Sequence, residues 1–374
     1  MAFLTASLKT LLIGLLGLIV SFFLGSQPSG GLIAQAATGL PLIAYLPPGN
    51  AITDGQALLR YALPIDCEAI REVQAELEEL SDKLRGKRWG PVQKTVAQVE
   101  RRLDRNRDKI LAAVPTTRQA QADAILTAMG AAIEPLRQAV ERQDKAAVLD
   151  LRRQLLGQVT ALEDSMVEGF PFEVPADYRN LPQLKGRATV VVETTQGPVT
   201  VVVDGYSAPV TAGNFVDLVQ RGFYDGRPFI RAEDFYVLQT GDPEGPEEGF
   251  VDPKTGQYRA IPLEILVKGD SQPVYGETLE ALGRYMDDPV LPFSAFGTVA
   301  MARPEADPNG GSSQFFFFLF EPELTPAGLN LLDGRYSVFG YVVEGKEVLR
   351  QLKQGDAVKS MRVVDGLDHL VQPA

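Results

Sequence analysis

Ile70, Val73, Leu77, Leu80 and Leu84 recur at steps of three and four, which lays one apolar stripe along a helix ending near Gly86. Val92, Val96, Val99, Leu103 and Ile110 repeat the pattern. A third helix is predicted after Pro115, with Thr116 or Thr117 as its cap, through Ile125, Met129, Ile133, Leu136 and Val140. The fourth begins near Asp144 and carries Val148, Leu151, Leu155, Val159 and Leu162. Each stripe is narrow and backed by charge, so four such helices on short connections predict an up-and-down bundle. A short leading helix, about Asp54 to Leu63, is expected to pack on that bundle.

The helical period stops at a Pro-rich connector from Gly169 to Gly186 that holds Pro171, Pro175 and Pro182. Beyond it the period is that of strands. Ala188 to Glu193 and Pro198 to Asp204 are β-branched runs separated by a turn, the pattern of a hairpin. Ala208-Pro209 opens a helix through Asn214, Phe215 and Leu218, and further apolar runs follow at Phe235 to Leu238, Gly297 to Met301, Gln314 to Phe320 and Val338 to Val343. Many short strands with Gly at their ends close most naturally into a barrel, which removes their edges. The expected fold class is α+β multidomain: a helical bundle over residues 37–168, a Pro-rich linker over 169–187, and a closed antiparallel β-barrel with flanking helices over 188–374.

The first 36 residues carry a single charge, Lys9, then the apolar run Leu11 to Leu24 and the small-residue site Ala34-Gln35-Ala36, the layout of a secretory signal peptide. An uncleaved anchor is the alternative, but this run falls short of the roughly 20 residues that span a bilayer. One Cys (Cys67) and one His (His369) cannot supply an internal disulfide, a zinc cage or a thiol–histidine pair. A formal net charge of −12 argues against general nucleic-acid binding. The bundle does hold a basic cluster beside Trp89, including Arg85, Lys87, Arg88, Lys94, Arg101, Arg102 and Arg105. It reads as a salt-paired solvated face or as a docking surface, the first being the ordinary outcome.

Candidate chemistry lies at the strand ends, where Arg231, Gln239, Gln314, Phe316, Leu332 and Tyr336 are cationic, neutral polar, aromatic or aliphatic. Three ordered blocks there resemble the cyclophilin family of peptidyl-prolyl cis-trans isomerases. Pro228-Phe229-Ile230-Arg231 with Gln239-Thr240-Gly241-Asp242 is similar to the family's first block, and Gly297 to Phe316, with Met301, Ala302, Gln314 and Phe316, to its second. Leu332-Asp333-Gly334-Arg335-Tyr336 before Val338-Phe339-Gly340 is similar to the third, and Ala208 to Phe215 to the family's first helix.

The resemblance implies a cyclophilin-like barrel, with Arg231 and Gln239 catalytic and Tyr236, Val237, Ala302, Arg303, Gln314, Phe316, Leu331, Leu332 and Tyr336 binding the substrate. It implies no cofactor and no metal. Departures are Tyr236 for Phe, Val237 for Met, Arg303 for Asn, Leu331 for the pocket Trp and Tyr336 for His, so the proline pocket should be reshaped. The stretch between Asp242 and Met301 is longer than in compact members, with ten acidic and four basic residues between Pro243 and Pro289. It either shapes substrates or is a solvated loop.

The whole arrangement resembles the multidomain thylakoid-lumen cyclophilins of cyanobacteria and chloroplasts, with the periplasm as the second location. The implied partners are proline-containing segments of exported clients, among them photosystem II subunits. No nucleic acid is implied, and membrane contact is expected only through the signal segment or clients. A degenerate site that holds proline segments without turning them over is the competing reading.

Overall fold

The computed structural model describes residues 52–86, 88–233, 235–320 and 331–373. The expected signal peptide therefore lies outside the described residues. Five helices come first: α1 (Gly55–Ala62), α2 (Glu68–Arg85), α3 (Trp89–Ala112), α4 (Gln119–Glu141) and α5 (Lys145–Met166). Helices α2 to α5 pack in a ring of sequence neighbours, with α5 returning against α2. The stripes read from the sequence form their core: Ile70, Leu77, Leu80, Val92, Val99, Met129, Leu136, Val148, Leu155 and Val159 are all fully buried.

Two details differ from expectation. On α4, Ala122 and Leu126 are buried while Ile125 stays partly covered, and the helix starts at Gln119 with Arg118 at its cap and no side-chain capping bond. The α5 start does follow the pattern: Asp144 accepts a hydrogen bond from Ala147 N at 3.1 Å.

The sheet part runs β1 (Gln183–Leu184), β2 (Arg187–Thr194), β3 (Gly197–Asp204), α6 (Pro209–Gln220), β4 (Arg231–Glu233), β5 (Val237–Thr240), β6 (Glu264–Ile265), β7 (Val274–Tyr275), β8 (Thr298–Met301), β9 (Phe315–Phe318), β10 (Val338–Glu344), α7 (Lys346–Leu349), β11 (Val358–Asp365) and β12 (Leu370–Val371). Eight of these strands form one antiparallel sheet in the order β11-β2-β3-β10-β8-β9-β5-β4. Its two edges are brought together by the bridge Pro228–Ala357, with Phe229 N donating to Asp356 O at 2.7 Å and Val358 N to Arg227 O at 2.9 Å. The edge strands thus satisfy each other, as closure requires. Gln183 and Leu184 pair with Val371 and Leu370, so the Pro-rich stretch ends inside the barrel rather than before it.

Alternation along β9 divides the molecule's apolar surface. Phe315 and Phe317 point into the barrel core with Phe215, Leu238, Val299 and Phe339, while Phe316 and Phe318 join a second cluster on the outer face. That outer cluster takes Leu58, Leu59 and Ala62 of α1. The leading helix therefore buries its apolar face on the barrel, not on the bundle. Gly55 makes this possible, because a Cβ there would lie 2.7 Å from Tyr341 Cβ. The bundle meets the helix through polar groups: Arg71 donates to Arg60 O at 2.7 Å and to Leu63 O at 2.9 Å, and Arg60 itself pairs with Glu78 of α2 at 2.5 Å.

Arg187 ties the three parts together. Its guanidinium bonds Asp204 at 2.6 Å and the Leu59 carbonyl, and lies 3.8 Å from Asp164 of α5.

Candidate active site

Residues directly opposite one another on antiparallel strands share a face and lie about 5 Å apart. The register places Arg231 opposite Gln239, Gln239 opposite Phe316, Phe316 opposite Ala300, and Ala300 opposite Val338. One row thus crosses five strands on the outer face, from a guanidinium through an amide to an aromatic ring. Two residues along, the next row holds Glu233, Val237, Phe318 and Thr298. The sequence alone gives each strand its period; the pairing aligns the rows.

Arg231 is half-exposed and donates from Nε and Nη2 to Glu233 Oε1, at 2.7 and 2.6 Å. Glu233 was not among the residues expected at the site. Its signal was present, since a residue two positions along a strand lies on the same face. Gln239 donates from Nε2 to Gln314 Oε1 at 2.7 Å, and Gln314 in turn donates to Asp242 Oδ1 and Glu248 O, both at 2.8 Å. This chain fixes the Gln239 amide and leaves it one N–H and its carbonyl oxygen for a ligand. Burial and the neighbouring Glu248 charge hold the Asp242 carboxyl above its ordinary range.

Around the ring, Tyr336 meets Phe316 edge-on at 5.5 Å, and Arg303 stands over Tyr336 at 5.1 Å while donating to the Arg335 carbonyl at 2.8 Å. Ala302 N donates to Gln314 O at 2.9 Å, and Ala302 and Leu332 pack at the margin of the same cluster. Tyr236 is partly exposed and meets Phe318 edge-on at 6.0 Å. Arg231, Gln239, Gln314, Phe316, Val237, Ala302, Arg303, Leu332 and Tyr336 are therefore brought onto one face. Leu331, next to Leu332 in the chain, is 87 % exposed.

Phe316 and Val237 are themselves only 5 % and 4 % exposed. Phe293 accounts for part of this cover: it lies parallel to Phe316 and meets Phe318 edge-on. Its backbone is held by Asp333, the central residue of the Leu-Asp-Gly block. Nothing in a local pattern announces that contact, because Phe293 stands in an irregular segment with no period.

Residues 54–167 match the family model described as peptidyl-prolyl cis-trans isomerase CYP38-like, PsbQ-like domain, and residues 189–368 match the cyclophilin type peptidyl-prolyl cis-trans isomerase/CLD family. The chain is 57% identical over 330 residues to a putative thylakoid lumen peptidyl-prolyl cis-trans isomerase of Synechocystis, covering 88% of this chain and 87% of that one. It is 46% identical over 352 residues to the chloroplastic peptidyl-prolyl cis-trans isomerase CYP38 of Arabidopsis thaliana, covering 91% and 80%. With the chloroplastic CYP37 of the same plant the identity is 31% over 371 residues, covering 92% and 77%.

Proposed function

This chain belongs to the cyclophilin-type peptidyl-prolyl cis-trans isomerases, and on that premise we propose that the row Arg231–Gln239–Phe316 is where it turns over X-Pro bonds. It is an isomerase of the thylakoid lumen, as its relatives are. The single observation that carries the assignment of the site is the cross-strand alignment of a held guanidinium, a held amide and an aromatic ring on one face.

Amide resonance sets a barrier of about 18–20 kcal/mol to rotation about a peptide bond. The barrier falls as the prolyl nitrogen becomes more amine-like, and no proton has to leave the substrate. Arg231 supplies a donor to that nitrogen as it pyramidalises, and its pair with Glu233 limits the orientations that the guanidinium must give up on binding. Gln239 uses its remaining N–H on the substrate's peptide oxygen while Gln314 holds the other. Phe316, Val237, Leu332 and Tyr336 form the apolar seat of the ring, and Ala302 and Arg303 flank it. The row Arg231–Gln239–Phe316 spans roughly 10 Å across three strands, enough for an extended segment of about three residues.

The substrates are proline-containing segments of proteins exported to the same compartment. We extend these to photosystem II proteins, an extension supported by the match of the helical region to a PsbQ-like domain. We divide the chain into a helical region, 54–167, and an isomerase barrel, 189–368, following the two family matches. The site assignment is tested by titrating the isotopically labelled chain with a short Ala-Pro peptide. Amide shifts should concentrate in 231–240, 300–303 and 314–318; shifts confined to α2–α5 would place binding elsewhere.

A further inference from the structure

The long acidic stretch between Asp242 and Met301 is folded and anchored at both ends. β6 and β7 pair as a hairpin, and Leu263, Ile265, Val267 and Leu279 make a small core of their own with Val274 against it. The fully buried Glu264 accepts bonds from Val210 N at 3.2 Å, Thr211 N at 2.8 Å and Thr211 Oγ1 at 2.9 Å. It therefore satisfies the first turn of α6, whose own cap residue makes no side-chain bond.

The far end of the stretch rests on the wall of the candidate site. Leu279 N donates to Gly334 O at 3.0 Å, and a Cβ on Gly334, whose φ is +76°, would lie 2.9 Å from Leu279 Cβ. Glu280 pairs with Arg335 at 2.6 Å. Arg284 N donates to Leu279 O at 2.7 Å, and its guanidinium forks onto Asp270 at 2.7 and 3.1 Å and bonds Asp287 at 2.7 Å. The turn from Leu279 to Asp287 is thus pinned from both sides. Asp270, Glu280 and Asp287 are engaged in these pairs, and Asp288 pairs with Lys268 at 3.4 Å.

That pinned turn holds Leu282, Tyr285 and Met286 with 42, 70 and 64 % of their surface in water. Large apolar side chains on a pinned, ion-paired support gain nothing for the fold by facing solvent. Aromatic and thioether groups held this way suit contact with a flexible apolar ligand.

We propose that Leu282, Tyr285 and Met286 form an apolar shelf that receives an apolar client side chain close to the isomerised proline. The occupant follows from continuity: the turn that carries the shelf is bonded through Leu279 and Glu280 to Gly334 and Arg335, between the two wall residues Leu332 and Tyr336, so a segment with its proline on Phe316 passes beside it. The shelf rests on the site assignment above.

The test uses the mature chain, with its Tyr285→Ser/Met286→Ser double variant and a conservative Tyr285→Phe/Met286→Leu variant. Affinity is read by fluorescence anisotropy for proline peptides that carry Leu or Ser at each of the three positions on either side of the proline. The wild type should favour Leu over Ser at one of these positions by about five- to tenfold. The ratio should fall towards one in the Ser variant and persist in the conservative one. A ratio that is absent in the wild type, or that the Ser variant leaves intact, overturns the shelf while the site stands. If no proline peptide binds at all, both fall. A wild type that dimerises through this surface, with the Ser variant monomeric on size exclusion and the Leu/Ser ratio unaffected, makes it a self-interface and also overturns the shelf.

Discussion

Phe293 lies parallel to Phe316, with ring centroids 6.0 Å and planes 11° apart, and its backbone N–H donates to Asp333 Oδ1 at 2.8 Å. Phe316, the ring proposed to seat the proline, is therefore already in contact with a ring from the chain itself. Substrate has to share or displace that contact.

Phe293→Ala should separate the two consequences. Loss of a buried ring costs about 3–5 kcal/mol of stability, measurable by urea unfolding. The same change should raise proline-peptide affinity several-fold, measured by anisotropy. A fall in affinity in a folded variant would mean that Phe293 helps to build the seat.

Arg187 answers the buried Asp204 carboxylate and also reaches the α1 carbonyl at Leu59. Truncating it leaves a buried charge without its partner, so Arg187→Ala should destabilise by about 3–5 kcal/mol. Hydrogen exchange should rise first in residues 55–62, since α1 loses one of its ties to the barrel. A variant as stable as the parent would show that Asp204 is satisfied by its bond from Ser207 N alone.

The pH dependence has a definite sign. Burial pushes the carboxyls of Glu163 and Glu264 up to about 7, against the pull of Arg71 on the first and of the α6 amides on the second. In the unfolded chain they titrate near 4.3. The folded state binds more protons between these values, so their contribution is fully present below about 4.3 and is lost as pH rises through about 7. The urea midpoint should fall between pH 5 and pH 8, and Glu163→Gln should flatten the slope. A midpoint that rises across this window would contradict the assignment.

The bundle was legible because its apolar positions keep one period for whole helices, and the barrel because β-branched runs, glycines and the ordered blocks coincide. Arg231, Gln239 and Phe316 could be named from those blocks. Their alignment into a row could not, since it depends on strand register. The α1 contacts were legible only in part for a related reason: the helix does meet the bundle through Arg60, but a stripe such as Leu58, Leu59 and Ala62 says that a helix has an apolar face, not what covers it. Leu331 has its place in the block from the sequence, but its 87 % exposure is set by the folded loop and has no signal in the pattern. Glu233, two residues from Arg231, needed only the strand period and was overlooked.

Catalysis through Arg231 is tested most directly by NMR exchange spectroscopy on the cis and trans forms of a proline peptide, with the mature chain, its Arg231→Ala variant and its Arg231→Lys variant. The wild type should accelerate exchange, Arg231→Ala should lose most of it, and Arg231→Lys should recover little, because an ammonium lacks the planar fork that both pairs with Glu233 and donates to the prolyl nitrogen. Exchange that is unchanged in a folded Arg231→Ala variant, or never accelerated by the wild type while the peptide still binds, would contradict it.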